Sequence, residues 1–196
     1  MKKIIVLIGI AGLIIGISGI ASATNEGFET GDLTGWSFSG SAGVTISSGG
    51  YSPVEGSYFG YVGGTSSLTQ SFNINSGQTI SGSAGFKAED YWPYNDTARV
   101  DILDSNNSVV NLWYRDVASV GNYGTSGWGT WNWTANTTGT YTLKLSVANV
   151  GDQSLPSYAY LDGISSGTNA VPEPMSLSLL GIGLLGAMGA GFRKKK

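Results

Sequence analysis

Residues Tyr141 to Val147 read YTLKLSV, and this short stretch decides the fold. Tyr141, Leu143, Leu145 and Val147 alternate with Thr142, Lys144 and Ser146. Only an extended strand puts every second side chain on one face, so one face is buried and the other wetted. The same beat recurs upstream. Leu68, Phe72 and Ile74 alternate with Thr69, Ser71 and Asn73, and Ile80, Ala84, Phe86 and Ala88 sit among polar or glycine neighbours. Val100 and Ile102 alternate with Arg99 and Asp101. Turn-forming clusters separate these runs: Asn75-Ser76-Gly77, Asp104 to Ser108, and Asn136-Thr137-Thr138-Gly139. No stretch between them carries a 3.6-residue period. The expectation is an all-β domain, an antiparallel β-sandwich.

Composition bounds what such a domain does. Between Thr24 and Ala170 the basic residues are Lys87, Arg99, Arg115 and Lys144 against twelve acidic ones, a balance of −8. That surface repels nucleic acid and anionic lipid and favours cations. The sequence contains no cysteine, so disulfides do not staple the fold. It contains no histidine either, which excludes Ser-His-Asp and Cys-His catalysis and His-ligated zinc. The body of the chain is long enough for one domain with its own core.

The two ends differ from the body. Met1-Lys2-Lys3 is a basic start, Ile4 to Ile20 carries no charge, and Ala21-Ser22-Ala23 places small residues at Ala21 and Ala23. That order is a secretory signal peptide over 1–23, with cleavage after Ala23; an uncleaved N-terminal anchor is the alternative. The β-sandwich ectodomain then spans 24–166. A linker over 167–174 ends in Val171-Pro172-Glu173-Pro174, whose prolines hold it extended. Met175 to Phe192 is an apolar run of 18 residues, about 27 Å as a helix, close to a bilayer's hydrocarbon thickness. Arg193-Lys194-Lys195-Lys196 closes the chain as a basic cytoplasmic tail. Gly186 and Ala190 give the 175–192 helix a small-xxx-small spacing for close helix approach.

The proline-glutamate-proline box, the Leu/Gly/Ala-rich span and the basic end, in that order, resemble the PEP-CTERM sorting signal. The resemblance covers Val171 to Lys196. It implies recognition by exosortase, a membrane processing enzyme that cuts near Pro172-Glu173-Pro174 and passes the body to the cell surface or the extracellular space. By it, Val171, Pro172, Glu173 and Pro174 are the recognition box and Arg193, Lys194, Lys195 and Lys196 the stop signal. A permanent single-span anchor without processing is the alternative.

The ends of the sandwich carry a second resemblance. NEGFETGDLTGW (Asn25 to Trp36) opens the mature chain and AYLDGIS (Ala159 to Ser165) closes the domain. This pairing is similar to galactose-binding-like jelly rolls, which include many carbohydrate-binding modules. The resemblance implies a structural Ca2+ ion held by Glu29 and Asp162, with Glu26 a weaker third ligand. Calcium takes hard oxygen ligands, six to eight of them, so two or three carboxylates also suit plain solvated strand ends.

Aromatic residues are the candidate ligand contacts. Tyr91, Trp92 and Tyr94 lie in a loop-like stretch, and Trp128, Trp131 and Trp133 lie in GWGTWNW. Sugar rings present apolar C–H faces that stack on such rings, which makes polysaccharide the expected ligand. Tyr91, Trp92, Tyr94 and Trp128 are the residues chosen, whereas Trp131 and Trp133 share one strand face and read as core. Carboxylates near the aromatics (Glu89, Asp90, Asp96) leave a glycosidase pair as the enzymatic alternative. The main expectation is a non-catalytic domain. Ice binding would want a regular threonine array, which the sequence lacks. The N-x-S/T sequons at Asn95, Asn106, Asn132 and Asn136 matter only in a host that glycosylates asparagine.

Overall fold

In the computed structural model, residues 25–166 are described. The signal peptide, the 167–174 linker, the apolar span and the basic tail lie outside the described residues. Eight strands and one helical turn make up the domain: β1 Ser37–Thr45, β2 Phe59–Ile74, β3 Thr79–Lys87, β4 Thr97–Leu103, β5 Val109–Asp116, α1 Val117–Val120, β6 Gly129–Thr134, β7 Gly139–Ala148 and β8 Tyr158–Ser166. Every pairing is antiparallel. The strands follow the order β5-β4-β7-β2-β8-β3-β6, with β1 on the free edge of β2.

One long strand turns this sheet into two layers. Residues 60–63 of β2 pair with β8, whereas residues 66–74 pair with β7. The change of partner falls at Gly64, whose φ of 66° is left-handed and suits glycine. β1 bends at the same level, with a register shift between Ser39 and Ser41 around Gly40 at φ 79°. Ser66 fastens the corner: its hydroxyl accepts the Ser41 N–H at 2.8 Å and donates to the Gly63 carbonyl at 2.6 Å. The layer β2–β8–β3–β6 is thereby folded back over β2–β7–β4–β5, giving the sandwich expected from the alternation. At the far side the edges approach, with the Trp113 indole of β5 beside Gly129 of β6.

The core lies between the layers. Leu143, Leu145 and Val147 of β7 share one buried face with Leu68 and Ile74 of β2 and Val100 and Ile102 of β4. Fully burying side chains of this size contributes roughly 1.5–3 kcal/mol each. Trp131 is buried and Trp133 half-buried on the same core, as their shared strand face requires. Phe28 enters from the opening loop, stacks on Trp36 with centroids 4.8 Å apart, and covers Gly60 of β2. A second, smaller cluster lies on the outside of β2–β8–β3. There the strap between β1 and β2 folds down and buries Tyr51 with Phe59 and Tyr160.

Candidate functional site

The opening loop and the closing strand meet, as the second resemblance implies. Asn25 shapes the loop: its side-chain amide donates to the carbonyls of Asp32 and Thr34, and its Oδ1 accepts the Thr30 N–H. The Trp36 indole N–H donates to the Asn25 carbonyl at 2.8 Å. Glu26 accepts both the N–H and the hydroxyl of Ser166 at the end of β8. Glu29 takes the N–H groups of Ser57 and Tyr58 from the strap, at 2.9 and 3.1 Å. Asp162 is fully buried and accepts N–H groups from Val54, Glu55 and Gly163. A cleft of about 430 Å3 opens here, lined by Asn25, Glu26, Glu29, Thr30, Glu55 and Ile164.

Three carboxylates, Glu26, Glu29 and Asp162, converge on this region. Burial pushes the Asp162 carboxyl up; its three backbone N–H bonds oppose the shift and the charge of Glu29 adds to it. Among the described residues the ion pairs are Lys87–Glu89 and Arg99–Asp101, neither of them in the cleft. The oxygen donors are of the kind a hard cation takes. Asp162 uses three of its four or so acceptor sites on N–H groups, and Glu29 two. No three acidic side chains among the described residues stand together as a ready-made metal cluster.

The aromatic candidates fall into two groups. Tyr91, Trp92 and Tyr94 occupy the loop between β3 and β4, with Trp92 66% exposed. A turn closed by the Tyr94 N–H on the Tyr91 carbonyl sets their rings edge to face, 5.5 Å apart. Tyr123 joins them from the loop before β6. Its ring lies 5.8 Å from that of Tyr91, and it is 51% exposed. Two hydrogen bonds tie the loops together: Tyr123 N–H to the Asp90 carbonyl, and Trp92 N–H to Asn122 Oδ1. The sequence pointed to Tyr91, Trp92 and Tyr94 but missed Tyr123, whose only signal was an aromatic inside a glycine-rich turn.

Trp128 belongs elsewhere. Its ring packs edge-on against Tyr51 at 5.0 Å, and its indole N–H donates to the Ser52 carbonyl. It helps hold the strap to the outer face of the sheet, with ring contacts to Tyr51, Phe59 and Tyr160. The carboxylates near the aromatics are bound up in the fold. Asp90 is buried and accepts the Tyr91 N–H, and Asp96 is buried between the Val150 N–H and the Ser157 hydroxyl. Glu89 pairs with Lys87 at 3.7 Å.

No curated protein matches the sequence. Among solved structures, the chain is similar to TmCBM61, determined with β-1,4-galactotriose, at 16% identity over 71% of this chain and 92% of that one, TM-score 0.49. It is similar to a structure of carbohydrate-binding modules from the β-sandwich superfamily, at 14% identity over 73% of this chain and 61% of that one, TM-score 0.45. It is also similar to the K1 cleaved adhesin domain of Lys-gingipain from Porphyromonas gingivalis, at 15% identity over 71% and 94% of the two chains, TM-score 0.44. The match that names something in this chain lies past the described domain: residues 170–196 carry the PEP-CTERM protein-sorting motif.

Proposed function

We propose that the chain is an exported protein, sorted to the cell surface or extracellular space through exosortase processing of its C-terminal signal, whose β-sandwich is a non-catalytic binder of polysaccharide. The observation that carries the sorting half is the PEP-CTERM motif over 170–196. Before processing, the apolar span 175–192 holds the protein in the membrane; afterwards the domain 24–166 is displayed outside. The binding half is supported by the exposed rings of Tyr91, Trp92 and Tyr123, with half-buried Tyr94 set edge to face against Tyr91. Rings this exposed in a hydrogen-bonded loop frame contribute little to the core and offer flat faces to a sugar's C–H surface. The non-catalytic reading is supported by the engagement of Glu89, Asp90 and Asp96 within the fold, since a glycosidase needs two carboxylates free to face one bond.

A structural Ca2+ belongs to the same proposal. Glu29 and Asp162 would hold it, with Glu26 beside them, and the ion would tie the opening loop and strap to the closing strand. It would supply no catalysis, only cross-linking.

Retention on insoluble polysaccharide tests the binding half. Wild-type protein should be pulled down without releasing sugar, and Trp92→Ala should lose most of that retention. Unchanged retention of Trp92→Ala would remove the cluster as the site, and release of reducing sugar would establish the enzymatic alternative.

A further inference from the structure

The outside of the β2–β8 layer carries more aromatic surface than the loop cluster alone. Val62, Ala159 and Leu161 point into the core, so their neighbours Tyr61, Tyr158 and Tyr160 point outward. The strap buries Tyr160 but stops short of the other two, which remain half-buried at the rim of the smaller cluster. Glycine backbone lies beneath each of these rings. A Cβ on Gly43 of β1 would meet the Tyr61 ring at 2.7–2.9 Å, and one on Gly63 of β2 would meet the Tyr158 ring at 2.5 Å. Each ring therefore lies down across the adjacent strand and turns a flat face outward. Tyr61 stands opposite Tyr160 and Gly63 opposite Tyr158, so the two tyrosines are diagonal neighbours about 7–8 Å apart.

Two further features point to a ligand on this surface. Among the described residues the hydroxyls of Tyr61 and Tyr158 make no hydrogen bond to protein, and neither do those of Tyr91, Tyr94 and Tyr123. The buried Tyr51 and Tyr160 hydroxyls, by contrast, are bonded. Lys87 stands opposite Tyr158 in the sheet and joins the platform to the loop cluster, donating to the Tyr123 carbonyl at 2.6 Å and the Ala88 carbonyl at 3.0 Å. Glu89 lies 3.7 Å from the same ammonium. The cation is thus neutralised within the fold, and the domain around it is acidic. An anionic polymer finds no free positive charge along this path, whereas an uncharged sugar chain finds flat rings and free phenols.

We propose that Tyr158 and Tyr61 extend the Trp92 cluster into one continuous path, so that the domain grips an uncharged polysaccharide along several sugar units and not by its end. This rests on the Trp92 cluster being a sugar site. The test uses the full-length chain, kept in solution by mild detergent. Native affinity gels would contain hydroxyethylcellulose, galactan, xylan or mannan, with alginate as the anionic probe. Oligosaccharides of two and six units from the polymer that retards the protein are then titrated. The expected result is retardation by a neutral polymer, with the Tyr61→Ala/Tyr158→Ala double variant binding the six-unit sugar about tenfold more weakly, or about 1.4 kcal/mol, and the two-unit sugar as wild type does. Hydroxyl-radical footprinting of the wild type covers the case of a misfolded variant: the six-unit sugar should protect Tyr61 and Tyr158 together with Trp92. Protection of Trp92 alone, or unchanged six-unit affinity in a folded double variant, overturns the extended path and leaves the loop site standing. Retardation by alginate alone overturns the uncharged class. No retardation of the wild type by any gel overturns both the path and the loop site.

Discussion

At Asp162 two opposed influences meet in one carboxyl group. Burial and the nearby charge of Glu29 raise its pKa above the ordinary 3.8, although the N–H groups of Val54, Gly163 and Glu55 pull it down. The folded chain therefore holds this proton more tightly than the unfolded chain does. Its contribution favours the fold below the unfolded value and is lost as pH rises through the raised folded value. Calcium at the cleft would oppose that loss, because it binds the ionised form. Melting curves from pH 3.5 upward, in chelator, should show wild type losing ground to Asp162→Asn as pH rises. Added Ca2+ should raise the wild-type Tm and erase that trend, and Asp162→Ala should lose the calcium response. A chelator that leaves the wild-type Tm unmoved would count against the ion. The opening and closing stretches single out Glu29 and Asp162 in the sequence, and in the fold both carboxylates accept N–H groups of the same strap. Tyr123 was not, since its partner Tyr91 is 32 positions away and only the folded loops, crossed by the Tyr123–Asp90 hydrogen bond, bring them together.

Among the elements, the corner in β2 does most to make two layers from one sheet. A strand of 16 residues would run about 53 Å if straight, more than one layer of this domain can use. Gly64 and Gly40 let β2 and β1 turn together, and Ser66 ties the turn. Gly77 also has positive φ, 84°, but a Cβ there meets nothing within 4 Å, whereas one at Gly40 would collide with Ser66. Gly77→Ala should cost about 1 kcal/mol, from backbone strain alone. Gly40→Ala should cost more, because strain and displacement of the Ser66 tie add. Urea midpoints compare them directly, and equal losses would contradict the corner's role. The strands that alternated in sequence, β7, β3, β4 and the second half of β2, all send buried side chains into the main core. β1 escaped notice because its alternation is weak: Phe38, Ala42 and Val44 sit among serines and glycines, and the strand is exposed or half-buried throughout. The corner escaped too, because the pair Gly63-Gly64 reads locally as any flexible turn and its meaning lies in the switch of partners from β8 to β7.

Over the whole molecule, an acidic, cysteine-free sandwich is set between two termini of another character. The domain's stability comes from packing between layers, and the exposed Tyr91, Trp92 and Tyr123 gather at one loop pair. This arrangement suits display outside the cell, where the sorting motif over 170–196 directs it. The sandwich class and that motif were both readable from the chain, one from period-two alternation and the other from three ordered blocks. The proposed ligand surface was only half readable, because Tyr61 and Tyr158 sit in strands whose alternation looks like any other; it is the glycines on adjacent strands that lay their rings flat. The central claim is that the chain leaves the cell and is cut at its proline box. Intact mass measurement of the protein recovered from the cell surface or medium tests it most directly. The mature species should begin at Thr24 and end within Val171 to Pro174; a surface species still ending at Lys196, or a chain found folded in the cytosol with Met1 and Lys196 both present, would contradict it.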